Sequence, residues 1–177
     1  LQRAIEDCAE LVQLDENRMT TQAAIQLELE TIRLMREGKG SSEAIVSVLQ
    51  SEQQLAESLT VEQQRAIAIV MTAPDTVMAW QGSAGVGKTY ALNEVRVIAQ
   101  SQGYQVRGFA PSAEAAHTLG EALQIETSTV AGLLVSESRE PKSSLWIIDE
   151  AGLLSMRDAH TLLQRAQREN ARVLLVG

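Results

Sequence analysis

A short glycine-rich stretch, GSAGVGKT at residues 82–89, constrains the fold of this 177-residue chain more than any other feature. An apolar run, TVMAWQ, precedes it, and a helix-forming run, KTYALNEVRVIAQ, continues from it. The stretch fits the pattern G-x-x-x-x-G-K-[ST], whose glycines let backbone N–H groups turn inward around phosphates at the start of a helix. Because the strand, loop and helix occur in the order that the motif requires, the sequence predicts a phosphate-binding loop.

Each part of the loop has a predicted role. Six consecutive residues are expected to surround the phosphates with their backbone: Gly82, Ser83, Ala84, Gly85, Val86 and Gly87. Lys88 is expected to reach the terminal phosphates, and the hydroxyl of Thr89 to bind Mg²⁺. The residues therefore predict a nucleoside triphosphate with Mg²⁺, and the alternative is a glycine-rich turn that binds no ligand.

An adjacent pair of carboxylates ends a second apolar run, in LWIIDEAG. Asp149 suits an outer hold on Mg²⁺, and Glu150 suits a catalytic role in polarising the water that attacks the terminal phosphate. Such a pair alone, at the end of a strand, would more often cap a helix. Its place after the phosphate loop in the chain favours the catalytic interpretation.

From residue 59 onward, short apolar runs alternate with helical stretches. Four strands are predicted at TVMAWQ, YQVRGFA, SLWIID and RVLLVG. Helices are predicted between them, and the piece around ETSTVAGLLVSESREPKSS is predicted to be rich in loops. Strands that alternate with helices indicate right-handed crossovers and a parallel sheet covered on both faces. The predicted fold class is α/β: a P-loop NTPase (RecA-like) sheet of about four parallel strands flanked by helices.

The first 58 residues show a helical pattern instead. Three helices are predicted there, with apolar faces formed by Ile5, Cys8, Leu11 and Val12; by Ile25, Leu29, Ile32 and Met35; and by Ile45, Val48 and Leu49. Gly38 is expected to end the second helix and Ser42 to cap the third. We therefore predict a helical N-terminal segment over residues 1–58 and a nucleotide-binding subdomain over residues 59–177.

Charge and composition limit the classes of function. A formal net charge of −8 argues against a broad basic surface for nucleic acid, and an aromatic content of 3% leaves few side chains for stacking on single-stranded bases. Cys8 is the only cysteine, so an intrachain disulfide and a cysteine zinc cluster are excluded. No apolar run is long enough to span a bilayer. We expect a monomeric, cytoplasmic piece that contacts DNA only locally.

Four motifs in a fixed order resemble the first half of a superfamily 1 helicase motor of the RecD-like branch. They are LTVEQQRAI (59–67), GSAGVGKT (82–89), FAPSAEAAHTL (109–119) and IIDEAG (147–152). The set looks closest to the helicase regions of conjugative relaxase–helicases of the TraI type. In that family ETIRLMREGKG also has a counterpart, between the DNA-nicking domain and the motor. The resemblance covers about residues 30–177, and its specificity lies in the joint order of the motifs.

The resemblance implies further roles for individual residues. Gln63 matches the glutamine that reads the adenine edge, and Lys88, Thr89, Asp149 and Glu150 match positions that bind ATP and Mg²⁺. The residues implied to face single-stranded DNA are Pro111, Ser112, Ala116 and His117 in one motif and Thr129 in the next. Without the resemblance, the ordinary interpretations are a glutamine on an exposed helix face, a helix-capping serine and a surface histidine.

The implied function is that of a motor subdomain in a bacterial conjugation protein that nicks and unwinds plasmid DNA. ATP, Mg²⁺ and single-stranded DNA would be its ligands, and conjugative secretion machinery a further partner. The alternative is a helicase-derived module that binds single-stranded DNA but no longer hydrolyses ATP. A stand-alone P-loop kinase or regulatory ATPase is a third hypothesis, which the first and third motifs disfavour.

The family pattern continues past Gly177 with a motif that senses the terminal phosphate, a second motor lobe and an arginine finger. Translocation needs two lobes that close and open on ATP, and the arginine finger stabilises charge in phosphoryl transfer. The 177 residues by themselves are therefore expected to bind nucleotide weakly at best and not to unwind DNA.

Overall fold

The computed structural model describes residues 11–15, 18–47, 58–82, 87–137 and 143–177. In chain order, these residues form β1 (Leu11–Asp15), β2 (Arg18–Thr21), α1 (Gln22–Glu37), α2 (Val61–Thr72), β3 (Val77–Trp80), α3 (Lys88–Ser101), β4 (Gln105–Ala110), α4 (Ala113–Leu123), β5 (Glu126–Thr129), α5 (Val130–Val135), β6 (Ser144–Ile148), a 3₁₀ turn (Ala151–Leu153), α6 (Met156–Glu169) and β7 (Arg172–Val176). From β3 onward the elements alternate between strand and helix, as the periodicity predicts.

The central sheet has five parallel strands in the order β3-β7-β6-β4-β5. The predicted α/β class is confirmed, with one strand more than the four that the apolar runs indicated. The additional strand, β5, lies in the piece predicted to be rich in loops, so that prediction is wrong there. ETST has no apolar run to indicate a strand, but its backbone pairs with β4 at the edge of the sheet, where polar side chains are tolerated.

Both faces of the sheet are covered by helices, as expected for parallel strands. In β6, Leu145 and Ile147 belong to one buried cluster, and Trp146 and Ile148 belong to the other. The first cluster includes residues of α2, α3 and α4, and the second includes residues of α5 and α6. The alternation of β6 therefore places one cluster on each face of a three-layer α/β/α fold.

The beginning of the chain differs from the predicted helix. Leu11 and Val12 lie in β1, which pairs antiparallel with β2. Short apolar runs fit both strand and helix periods, and here Val12 and Thr20 lie opposite each other as β-branched partners. The prediction of a helical face at Leu11 and Val12 is wrong, while Ile5 and Cys8 lie outside the described residues.

The second predicted helix is present as α1, and Gly38 ends it as expected. Its buried face is not the predicted one, because Thr31 is buried and Leu34 packs on the core. Leu29 and Ile32 are 57% and 44% exposed, and Met35 is also exposed. Thr31 instead lies against His160 of α6, with 3.1 Å between the hydroxyl and Nδ1.

A third helix capped by Ser42 is absent from the described residues 41–47. The backbone N–H of Ser42 donates to Pro74 O, and the N–H groups of Ile45 and Val46 donate to Met71 O. Both apolar side chains are buried in the core, so tertiary contacts replace the local helix at this point. Val48 and Leu49 lie outside the described residues, and the domain boundary at residue 58 stays a prediction.

Candidate functional site

The structure describes both ends of the phosphate loop, at Gly82 and Gly87, while residues 83–86 lie outside the described part. Gly82 follows β3, and its N–H donates to Gly177 O at the end of β7 over 3.1 Å. Gly87 has φ +73°, a left-handed conformation that glycine adopts without steric penalty. No side chain caps the start of α3, so the first N–H groups of this helix are available to an anion.

Lys88 extends its ammonium group back across the loop. Its Nζ donates to Gly82 O at 2.6 Å and to Gly177 O at 2.9 Å. These two carbonyls hold the positive charge at the carboxyl edge of the sheet, beside the free start of α3. A charge in this position fits a polyphosphate, because both the ammonium and the helix start attract anions.

A cleft of about 780 Å³ joins several of the predicted positions. Gln63, Gly82 and Lys88 line it together, along with Trp80 and Ile69, which the sequence reasoning missed. Trp80 directly precedes the loop, so its place in the chain was a usable signal. Ile69 gave no such signal, because its position on α2 resembles any apolar helical residue. The cleft has room for a base beside the polyphosphate position.

Gln63 has two roles at the start of α2. It closes a capping box with Thr60: the Gln63 N–H donates to the Thr60 hydroxyl, and the Thr60 N–H donates to the Gln63 side-chain oxygen. Its Nε2 also donates to Gly87 O at 3.2 Å, across to the phosphate loop. Gln63 therefore lies between the predicted base position and the loop.

Asp149 and Glu150 follow β6 at the same edge of the sheet. The N–H of Asp149 donates to Phe109 O, and Asp149 Oδ1 accepts the N–H of Glu150 at 3.0 Å. Glu150 has φ +51°, a conformation that costs energy for a residue other than glycine. Only β7 separates β6 from β3, which puts the carboxylates about 10 Å from the phosphate loop at ordinary strand spacing.

The carboxylates line a separate, smaller cleft of about 290 Å³ together with Ser112 and Thr118. Within the described ranges, no group of three or more His, Cys, Asp or Glu side chains is placed to hold a metal ion. Magnesium usually binds one or two protein oxygens and completes its shell with water and phosphate oxygens. Thr89 at the start of α3 and Asp149 after β6 each offer an oxygen of the kind that binds Mg²⁺ together with water and nucleotide phosphates.

The five predicted DNA-facing residues differ in accessibility. Ala116 is buried in the core, so its methyl group has no access to DNA. The hydroxyls of Ser112 and Thr129 cap α4 and α5, respectively, and Pro111 is half-buried. The His117 side chain is 72% exposed, and its Nδ1 lies 3.4 Å from Glu121 Oε2. Ser112 nevertheless follows the carboxyl end of β4 and Thr129 ends β5, and these two strands are adjacent in the sheet.

The chain matches known proteins in two ways. A family model described as "AAA domain" matches residues 58–177. Conjugal transfer protein TraA of Rhizobium radiobacter is 31% identical over 169 residues, and a probable conjugal transfer protein TraA of Sinorhizobium fredii is 30% identical over 166 residues. Each alignment covers 90% of this chain but 15% of the relative.

A third relative, conjugal transfer protein TraA of Agrobacterium fabrum, is 28% identical over 120 residues, which cover 66% of this chain and 11% of that protein. These relatives confirm the resemblance to conjugation proteins that the four motifs indicated. The chain spans only 15% of the length of the first two. In the described part of the chain, no helix combines the length and apolar character that crossing a membrane requires.

Proposed function

The chain belongs to the AAA domain family, and on that premise we propose that it is the ATP-binding half of a motor that moves single-stranded DNA during plasmid transfer. The observation that carries this proposal is the Lys88 ammonium, which shares one cleft with Gly82 and Gln63. The ammonium and the loop match the phosphates of a nucleotide, and the hydrogen-bonding amide of Gln63 matches its base. The conjugal transfer relatives support the biological setting.

In this proposal the residues at the carboxyl edge of the sheet have different roles. Lys88 and the N–H groups at the start of α3 would bind the β- and γ-phosphates of ATP, and Thr89 would hold Mg²⁺ with Asp149 as its outer hold. Bound Mg²⁺ supplies charge neutralisation at the phosphate oxygens. Glu150 orients and polarises the attacking water, because its carboxylate is exposed beside Asp149 at the edge of the same sheet.

Single-stranded DNA would contact the exposed Ser112 and His117 and the half-buried Thr129. Glu114 lines the neighbouring cleft with Asp149 and Glu150, and three carboxylates repel phosphate. This chain alone is therefore expected to bind DNA weakly. The rest of the longer protein would supply most of the affinity, together with the nicking activity and any contact with secretion machinery.

The test is ATP hydrolysis by a longer protein that includes this chain and the second motor lobe, with and without single-stranded DNA. Turnover that DNA stimulates and that Glu150→Gln abolishes would support the motor. Glu28→Gln, the same substitution at an exposed position of α1, is the matched control and should retain turnover. Bound DNA without turnover in the unsubstituted protein would contradict the motor and favour a DNA-binding module that no longer hydrolyses ATP.

A further inference from the structure

The start of α2 touches the start of α3 at two points. Gln63 Nε2 donates to Gly87 O at 3.2 Å, and the hydroxyls of Ser58 and Tyr90 lie 2.6 Å apart. In each contact the two residues are more than 20 positions apart in the sequence. One of them precedes the phosphate loop, and the other lies at its end or directly after it. The contacts therefore connect the segment before α2 to the helix that presents its N-terminus to phosphate.

The start of α3 has little local support. Gly87, its first flanking residue, is left-handed, and no side chain caps the helix. Glycine also has the largest conformational freedom to lose, so a helix that starts at glycine is poorly defined by its own sequence. Gly87 O accepts the first helical hydrogen bond, from Ala91 N at 3.2 Å, and the Gln63 amide donates to the same oxygen. An external contact thus reaches the carbonyl on which the first turn depends.

The Gln63 side chain is itself held in one orientation. Its side-chain oxygen accepts the Thr60 N–H at 2.9 Å, and this bond turns the Nε2 group toward Gly87. The capping box therefore serves two helices. It satisfies backbone N–H groups at the start of α2, and it orients the Gln63 side-chain amide toward the start of α3. A side chain with this geometry affects the loop whether or not a base is present.

We propose that residues 58–63 form a brace that sets the geometry of the phosphate loop, with Gln63 and Tyr90 as positioning residues. The consequence is that polyphosphate affinity depends on Gln63 even for a ligand that has no base. This inference rests on the proposed nucleotide binding and assigns a second task to a residue otherwise expected to read adenine. The Ser58–Tyr90 pair, between two exposed side chains, makes the smaller contribution.

The test compares Gln63→Met with Gln26→Met. Methionine keeps the length of the side chain and adds no charge, and Gln26 lies exposed on α1, where its Nε2 donates to Glu30. The 177-residue chain is titrated with ATP and with inorganic tripolyphosphate, both with Mg²⁺. Gln63→Met should weaken tripolyphosphate binding about 3- to 10-fold for one hydrogen bond and ATP binding by at least as much, while Gln26→Met leaves both unchanged. Tyr90→Phe should act in the same direction, by about 2-fold.

Weaker ATP binding with unchanged tripolyphosphate binding would overturn the brace and leave Gln63 as a reader of the base alone. Hydrogen exchange of the ligand-free chain gives a second measurement that needs no nucleotide. Amides of residues 91–94, the first hydrogen-bonded amides of α3, should exchange faster in Gln63→Met than in Gln26→Met, and equal rates would overturn the brace. If the unsubstituted chain binds neither ligand, the proposed function fails, and the exchange rates still decide on the brace.

Discussion

The N-terminal residues 18–47 and the phosphate-loop edge are both attached to the sheet by polar contacts, yet the two sets of contacts differ in burial. On the N-terminal side, Arg172 is 2% exposed and donates to three backbone carbonyls, those of Glu43, Ala73 and Asp75. At the loop edge, Thr89 is exposed, and Gln63 and Lys88 are half-buried. Buried polar contacts cost most when one partner is removed, and exposed ones cost little.

This difference separates two kinds of task within one small fold. The N-terminal contacts close off the end of α2 and the start of β7. The loop contacts leave donors and a positive charge pointing at a cleft. We therefore expect substitutions on the N-terminal side to lower the free energy of unfolding, and those at the loop edge to lower ligand affinity.

The largest expected effect on stability is that of Arg172→Met. The change keeps most of the aliphatic stem but removes the donor from three partly buried carbonyls, which should lower the free energy of unfolding by about 3 kcal/mol. Chemical denaturation measures this directly, with Arg168→Met on the exposed face of α6 as the control. A loss below about 1 kcal/mol would break the comparison, since the N-terminal contacts would then be no stronger than surface contacts.

A second prediction concerns Ile45, which is 6% exposed, and Ile32, which is 44% exposed. Ile45→Ala should cost about 2 to 3 kcal/mol because it leaves a cavity in the core, and Ile32→Ala should cost about 0.5 kcal/mol or less. Thermal or denaturant unfolding of the two variants provides the measurement. Equal losses would show that residues 41–47 pack no better on the core than the outer face of α1 does.

The smallest effect on the free energy of unfolding is expected at Glu150, where the substitution should stabilise the fold. Glu150→Gly removes the cost of a left-handed conformation and should raise the free energy of unfolding by up to about 1 kcal/mol, partly offset by the freedom of glycine in the unfolded chain. Glu121→Gly, in the last turn of α4, should lower it by up to about 1 kcal/mol. A destabilising Glu150→Gly would mean that the ligand edge holds no strain at this carboxylate.

The sequence predicted the central part of the fold because its apolar runs are strong. SLWIID and RVLLVG become buried parallel strands, TVMAWQ becomes an edge strand in which Met78 alone is buried, and Ser112 caps α4. Where tertiary contacts decide the backbone, the prediction was wrong. Ile45 and Val46 bond to the end of α2 instead of forming a helix, and ETST forms a strand only because β4 lies beside it.

The site follows the same rule. The phosphate loop and the carboxylates were indicated by fixed spacing, and they lie at one edge of the sheet. Their chemical roles stay predictions. The contacts of Gln63 with Gly87 and of Tyr90 with Ser58 join distant parts of the chain, so no local pattern indicates them. A local pattern does not indicate the burial of Ala116 either, because this burial depends on how α4 packs on the sheet.

The most direct test of the account is calorimetric titration of Mg-ATP into the unsubstituted chain and into Lys88→Ala, with unfolding temperatures measured alongside. Lys39→Ala, an exposed lysine on the N-terminal side, is the matched control. The account predicts that Lys88→Ala weakens Mg-ATP binding about 100-fold or more, as expected when a charged donor to phosphate is lost. The unfolding temperature should change by no more than about 2 °C. Equal affinity in Lys88→Ala and the unsubstituted chain would contradict the assignment of this loop to nucleotide phosphates.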